Sequence, residues 1–192
     1  MKKDAIITLP HSHLRQKSQR VHVITDDVRQ LVADMTSASI DWEESRPHEI
    51  SAALAAVQVD RLEQVVIVRS DFDDKDNREF IPLINPKIVK YEGEIISDYE
   101  GCLSVPGGFY GKVPRHSRIR VKALDINGNE VRLKADGFLA RVLQHEIDHC
   151  HGIVFVDRIR NVTDAFYQLD KKGELQPVDY DSVIADNHIL WD

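Results

Sequence analysis

The chain has 192 residues, of which 42% are hydrophobic and 30% are charged. These proportions are typical of a globular protein, and the length predicts one domain spanning 1–192. The formal net charge of −7 argues against a general affinity for nucleic acid or for an anionic membrane surface. No apolar run approaches the roughly 18 residues that span a bilayer, and no secretory signal is evident, so a cytoplasmic location is expected.

The first strong helical pattern begins after Thr25, which can cap the helix, while Asp26 and Asp27 suit its first turn. The apolar residues that follow have the spacing of one half-buried helix face: Val28, Leu31, Val32 and Met35. The polar, acidic stretch 37–49, which includes Pro47, is predicted to be a loop.

Two other features near the N-terminus have both functional and ordinary interpretations. The small residues of 50–59 permit close backbone packing, which suits a helix contact or the wall of a substrate cleft. Gln58 ends this run as a lone amide, and hydrogen bonds to the backbone would explain it without a function. Three histidines in polar surroundings are predicted to be surface residues: His11, His13 and His22.

The middle of the chain has the alternation and β-branched content of antiparallel strands. The candidate strands are 65–68, 81–91, 95–100, 118–124 and 130–134. Pro82 and Pro86 confine the second of these to edge or irregular pairing. Asn127 and Gly128 predict a hairpin turn in which both residues have positive φ. The pattern predicts an α+β fold with antiparallel strands packed around a buried helix.

That buried helix carries a His-Glu-x-x-His motif at His145, Glu146 and His149. Four helical residues turn through about 400°, so the two histidines project from one face and can hold one divalent metal. Glu146 beside them suits a general base acting on water. Asp136 is placed to cap the start of this helix, and Gly152 to end it. The motif alone also fits an ordinary helix that carries two histidines by chance.

A catalytic metal site needs a third protein ligand and an open position. The candidates are Cys102, Cys150 and one of many carboxylates. Cys150 points about 100° away from the metal face, whereas Cys102 lies on a glycine-flanked turn and is favoured by its chemistry. A disulfide between the two is not expected in a reducing compartment. Asp148 and Glu100 are candidates for orienting a ligand, or are plain surface carboxylates.

Several segments resemble the peptide deformylase family, and its two main motifs, at 100–104 and 144–149, come in the right order. The similar segments are Glu-Gly-Cys-Leu-Ser at 100–104, Val-Pro-Arg at 113–115, the Asn-Gly hairpin, Gln-His-Glu-x-x-His at 144–149, and Pro-x-x-x-Leu-Arg within 9–15. The resemblance extends from about residue 6 to 160 and leaves 161–192 as a polar C-terminal extension of the catalytic domain. It implies hydrolysis of the N-formyl group from the formylmethionine of nascent chains, with release of formate.

The resemblance also implies roles for single residues. The implied metal ligands are Cys102, His145 and His149. The implied catalytic groups are Glu146 as general base and acid, with Gln58 and the Leu103 backbone N–H as donors to the oxyanion. The implied lining of the methionine cleft is Gly101, Val142 and His145, with Ala53 also beside the substrate. The family usually holds Fe(II) and accepts nickel, cobalt or zinc, and its expected partners are N-formylmethionyl peptides and, transiently, the ribosome.

One segment departs from the family pattern Gly-x-Gly-x-Ala-Ala-x-Gln, because Ser51 and Ala53 replace its two glycines. Since glycine permits positive φ and close approach of a substrate backbone, these replacements are expected to narrow the cleft or shift the peptide. Two alternatives stay open. One is a zinc peptidase with a distant carboxylate as third ligand; the other is a catalytically impaired deformylase-like protein that binds peptides or the ribosome.

Overall fold

One antiparallel sheet dominates the computed structural model, which describes residues 1–46, 49–74 and 76–191. The strands are β1 (Ala53–Ala55), β2 (Val65–Arg69), β3 (Phe80–Gly101), β4 (Phe109–Leu124), β5 (Glu130–Asp136), β6 (Phe166–Leu169) and β7 (Leu175–Pro177). The helices are α1 (Asp26–Glu44), α2 (Gly137–His149) and the short α3 (His188–Trp191). The sheet order is β1-β2-β3-β4-β6-β7, with β5 also paired to β4. The predicted α+β class with antiparallel strands is therefore confirmed.

Helix α1 begins where it was predicted to begin but runs further. The Thr25 hydroxyl accepts a hydrogen bond from the Val28 N–H at 3.5 Å. The prediction of a loop over 37–49 is wrong for its first part, because α1 continues to Glu44. Ala38 and Trp42 extend the buried face one further turn, which outweighs the polar residues between them. Pro47, the proline of that predicted loop, lies outside the described residues.

Strand β3 unites two predicted segments and contains both prolines, which lie at one-sided or irregular pairing. Pro82 pairs with Ile67 of β2, in a part of β3 that precedes its pairing with β4. Pro86 lies in an irregularity between Ile84 and Lys87, where the register with β4 shifts. Pro82 therefore lies in a regular ladder with β2, but its side of β3 toward β4 has no strand partner among the described residues, and Pro86 lies at an irregularity. The prediction of edge or irregular pairing is confirmed in this sense.

The predicted hairpin is present as β4 and β5, but its turn is longer than two residues. Gly128 has φ of 87°, whereas Asn127 does not have positive φ, so the expectation for Asn127 is wrong. The Asp125 carboxylate instead organises the loop by accepting hydrogen bonds from the backbone N–H groups of Asn127 and Asn129, each at 2.8 Å.

Helix α2 packs its apolar side on the sheet, where Leu143 and Ile147 lie in one cluster with Val66 and Val121. Asp136 occupies the position before the helix, but its side chain makes no capping hydrogen bond, so that detail of the prediction is wrong. The residue also ends β5 with its side chain in solvent, which explains the missing cap.

Gly152 ends α2 as predicted, with φ of 73° and its N–H donating to the His149 carbonyl at 3.1 Å. A Cβ at this position would lie 2.6 Å from the Arg15 carbonyl oxygen. We expect Gly152→Ala to lower the free energy of unfolding by about 1–3 kcal/mol, because both the backbone conformation and the space exclude a methyl group. Urea denaturation measures the change.

Gly128→Ala is the matched control, because this glycine also has positive φ, but an added Cβ would lie 3.9 Å from the Ile24 methyl carbon, at ordinary contact distance. It should show the backbone strain alone and therefore a smaller loss of stability than Gly152→Ala. Equal losses in the two variants would contradict the predicted close contact with Arg15.

The C-terminal segment joins the sheet and the core. Phe166 of β6 pairs with Gly111 of β4, and its ring is buried in a cluster with Phe155, Ile184 and Leu190. The apolar residues of the C-terminal segment therefore pack on the rest of the protein, although the segment as a whole is polar in composition. None of the described helices is long and apolar enough to cross a membrane.

Candidate metal centre and substrate cleft

Three possible metal ligands converge between the end of β3 and α2. Cys102 follows β3 directly, and its Sγ lies 3.3 Å from Nε2 of His149. One ligand atom from each of Cys102, His145 and His149 lies within 4.8 Å of the other two. A thiolate sulfur and two imidazole nitrogens are donors that suit iron(II), zinc, nickel or cobalt. The donor set therefore fits one divalent ion.

Cys150, the competing thiol, lies elsewhere. Both cysteines are free, and Cys150 is buried in the hydrophobic cluster between α2 and the sheet. Burial raises the pKa of the Cys150 thiol to about 12, with the Glu146 and Asp148 charges adding to the effect. It is therefore protonated at neutral pH, and Cys102 is the thiol placed beside the histidines.

Glu146 is a buried carboxyl group at the edge of this centre. Its Oε2 has no hydrogen-bond partner among the described residues. Burial raises its pKa to about 7, although the neighbouring charge on His145 opposes the shift. A carboxyl group with a pKa near neutral pH can both accept and return a proton.

Two hydrogen-bond donors flank Cys102. The Gln58 amide oxygen accepts from the Ala55 N–H at 2.9 Å, which directs the amide nitrogen toward Ser104 Oγ at 3.2 Å and Cys102 Sγ at 3.5 Å. The buried glutamine thus satisfies the ordinary interpretation and also faces the centre. The Leu103 N–H has no acceptor within the described part of the chain.

A buried charge network holds the metal-facing histidine from behind. The His145 Nδ1 group donates to Glu100 at 2.9 Å, and Glu100 also accepts two hydrogen bonds from Arg115, at 2.8 and 2.9 Å. Arg115 also pairs with Asp148, to which Arg158 donates two further hydrogen bonds. Glu100 and Asp148 are therefore not the plain surface carboxylates of the alternative interpretation, and both orient neighbouring groups.

The pKa values follow from this network. Burial opposes ionisation of Glu100, but the hydrogen bonds from Arg115 and His145 outweigh it and lower the pKa to about 2. Burial alone would lower the pKa of His145, yet hydrogen bonds with Cys102 and Glu100 raise it well above its usual value. Burial lowers the pKa of His149, and the His145 charge adds to this. An ion at Nε2 of His145 would displace the second ring proton that the raised pKa favours, and the Nδ1 proton would stay in the hydrogen bond to Glu100.

Arg115 and Arg141 are buried members of this network for which no role was predicted from the sequence, although Arg115 belongs to the Val-Pro-Arg segment at 113–115. Arg141 lies inside the apolar run of α2 and donates to Glu100 at 2.8 Å and to the Val113 carbonyl at 2.7 Å. The sequence did contain one indication. Side chains alternate between the two faces of a strand, and Arg115 falls on the same face as the buried residues Val113 and Ile119. An arginine in phase with the core indicates a buried partner.

A cleft of about 280 Å³ opens onto the centre. The predicted site residues that line it are Ala53, Gln58, Gly101, Cys102, Leu103, Val142, His145 and Glu146, whereas His149 lies fully buried behind them. The lining residues that were not predicted are Trp42, Glu49, Ile50, Tyr99, Tyr110 and Phe138. At Gly101 the wall is tight, because a Cβ there would lie 2.7 Å from Cε1 of Tyr110.

The two replaced motif glycines differ in their placement. Ser51 does not line the cleft; its hydroxyl donates to Ser39 at 3.0 Å and its N–H to Glu43 at 2.8 Å, both on α1. The expectation that Ser51 narrows the cleft is therefore wrong. Ala53 does line the cleft, and it lies in the extended strand β1, so its backbone does not need the conformational freedom of glycine.

Convergent donors for one ion, a buried acid near neutral pKa and two N–H donors at one cleft define a site of the metal-dependent hydrolase class. A sequence model of the polypeptide deformylase family matches residues 3–165, and the chain belongs to that family. It is 44% identical to a peptide deformylase of Thermomicrobium roseum over 172 residues, covering 88% of this chain and 93% of that relative.

Other known proteins agree with this assignment. Peptide deformylase 2 of Clostridium acetobutylicum is 42% identical over 146 residues, covering 76% of this chain and 88% of that relative. A crystal structure of a peptide deformylase from Synechococcus elongatus in complex with actinonin is similar with a TM-score of 0.73 and 37% identity. That comparison covers 82% of this chain and 80% of the other.

Proposed function

We propose that this protein removes the N-formyl group from the formylmethionine of nascent polypeptides, releasing formate and a free amine. The observation that carries the proposal is the convergence of Cys102, His145 and His149 beside the unpartnered carboxyl group of Glu146. Membership of the polypeptide deformylase family supports the same reaction. The catalytic domain that we propose spans 1–192, with 161–192 as its C-terminal extension; its last residue, Asp192, lies outside the described residues.

Cys102, His145 and His149 would hold the ion, which we propose to be Fe(II) in the cell, with zinc, nickel or cobalt as substitutes. Their mixed sulfur and nitrogen donors accept all of these metals. When bound, the ion supplies Lewis acidity that polarises the formyl oxygen and lowers the pKa of water. Glu100 fixes the ring of His145 for this task through the Nδ1 hydrogen bond.

The protein's own groups carry the proton and the developing charge. Glu146 removes a proton from the attacking water and delivers it to the departing amine, which is a poor leaving group unless protonated. Gln58 Nε2 and the Leu103 N–H donate hydrogen bonds to the formyl oxygen as it becomes an oxyanion. Removal of one such donor typically costs about 10²–10³ in rate.

The cleft supplies a place for the methionine side chain. Gly101 and Val142, with the ring of His145, form its inner wall, and Ala53 lies across from the peptide backbone in our proposal. We also propose transient contact with the ribosome in the cytoplasm, because a formylated terminus is first accessible as the chain leaves the ribosome.

The proposal is tested by measuring formate release from formyl-Met-Ala-Ser by iron-loaded protein kept free of oxygen. Acetyl-Met-Ala-Ser is the matched substrate control, since its extra methyl group crowds the reacting carbon. We expect formate from the formyl peptide and negligible acetate from the acetyl peptide. Absence of formate when the site of Cys102, His145 and His149 holds its ion would refute the proposal and favour the impaired, peptide-binding alternative.

Cys102→Ala separates the deformylase proposal from the zinc peptidase alternative. We expect the variant to lose its bound metal and its formate release, because the thiolate is one of three ligands. Cys150→Ala is the matched control, since this thiol faces the core and should leave the metal content unchanged. Metal content is measured by elemental analysis after dialysis, and full retention in Cys102→Ala would contradict the proposed ligand set.

A further inference from the structure

We propose a second metal site on the protein surface, formed by His11, His13 and Asp60, that takes a divalent ion such as Zn²⁺ or Ni²⁺. One ligand atom from each residue lies within 4.8 Å of the others. The three residues come from two separate segments, the 3-10 turn Ser12–Arg15 with its preceding residue and the residue that ends the turn Ala56–Val59. None of them belongs to the metal centre described above.

The distances suit a shared ion. Nδ1 of His13 lies 2.6 Å from Oδ1 of Asp60, and Nε2 of His11 lies 3.9 Å from the same oxygen. Ligand atoms around a tetrahedral zinc ion, at bonds of roughly 2.0–2.1 Å, lie about 3.3 Å apart. The observed separations bracket this value, so small rotations of partly exposed side chains would bring all three ligands to bonding distance.

Local backbone geometry orients the ligands before any ion arrives. Nδ1 of His11 accepts a hydrogen bond from the His13 N–H at 3.3 Å, which holds the ring with Nε2 and its proton facing Asp60. An ion at Nε2 would replace that proton, which would move to Nδ1, so metal binding would exchange this weak hydrogen bond for a metal–nitrogen bond. Asp60 has φ of 62°, a left-handed conformation that is uncommon for residues other than glycine. Its N–H donates to the Val57 carbonyl at 3.1 Å, so the turn holds this aspartate in place.

An ion at this site would join the N-terminal segment to the turn that carries Gln58. The segment already contacts the cleft region, because the Ile7 N–H donates to the Gln58 carbonyl at 2.8 Å and the Leu9 N–H to the Ser104 carbonyl at 2.9 Å. An ion that binds only the folded chain stabilises it by mass action. We therefore assign the site a stabilising role rather than a catalytic one.

The test titrates Zn²⁺ into Zn²⁺-loaded protein by calorimetry. We expect a second equivalent to bind, and we expect its affinity to fall at least about tenfold in His13→Ala and in Asp60→Asn, since even the loss of an outer partner costs about 10–100-fold. Asparagine tolerates the left-handed conformation and can still accept from His13, so Asp60→Asn should fold normally. The first equivalent and formate release should be unchanged in both variants.

His22→Ala is the matched control, because His22 is another exposed histidine near the N-terminus and lies outside the three-residue cluster. It should retain the second equivalent. Binding of only one equivalent by the parent protein would overturn the proposal, as would a second equivalent whose affinity is the same in His13→Ala and Asp60→Asn as in the parent. Because the readout is metal stoichiometry, it is independent of whether the protein deformylates peptides.

Discussion

Glu146→Gln should reduce formate release by about 10²–10⁴-fold while the protein keeps its metal and its fold, because general acid–base catalysis contributes about this much. Glutamine has the size and shape of glutamate but does not accept a proton at neutral pH. Oε2 of Glu146 has no partner among the described residues, so the amide breaks no hydrogen bond that supports the structure. The effect should therefore appear in kcat and not in stability.

The measurement is kcat and KM for formyl-Met-Ala-Ser, together with metal content and melting temperature. Glu174→Gln makes the same chemical change at an exposed position and should leave all four quantities unaltered. Activity of Glu146→Gln within tenfold of the parent would remove this residue from the proposed role. Loss of metal in the variant would instead indicate that Glu146 supports metal binding.

Local patterns predicted the helix that carries His145 and His149 and most of the strands, because helical spacing and strand alternation depend on neighbouring residues. The last turns of α1 were not predicted, because local patterns contain no information about distant packing partners. A window of polar residues around Trp42 predicts a loop, whereas this side chain is buried in one hydrophobic cluster with residues far along the chain, such as Ile67 and Ile84. Burial by distant partners outweighs local composition.

The buried charges could not be predicted in detail, because their partners depend on the register of distant elements. Glu100 and Arg115 meet only because β3 and β4 pair as they do, and Arg141 reaches both strands from α2. A sequence shows three charged residues and gives no distance between them. Ser51 is a similar case, since its direction toward α1 rather than the cleft follows from how β1 lies against that helix.

Arg115→Met should cost about 3 kcal/mol of the free energy of unfolding and make His145 a poorer ligand. Removing one partner of a buried ion pair costs roughly 3–5 kcal/mol, because the remaining charge stays buried. Here the lower end applies, since Glu100 keeps Arg141 and Asp148 keeps Arg158. At roughly 2–4 °C per kcal/mol for a chain of this size, the melting temperature should fall by about 6–12 °C.

Arg120→Met is the control, because Arg120 lies on the same strand and also donates two hydrogen bonds to one glutamate, Glu92, at 2.8 and 3.0 Å. The Arg120 side chain is 45% exposed, against 3% for Arg115, so water replaces its partner when the pair is broken. The melting temperature of Arg120→Met should not change measurably.

Because Glu100 orients His145, Arg115→Met should also weaken metal binding by about tenfold. Equal melting temperatures in the two variants would mean that the buried network contributes no more than a surface ion pair, and the metal affinity would then show whether it still orients the histidine.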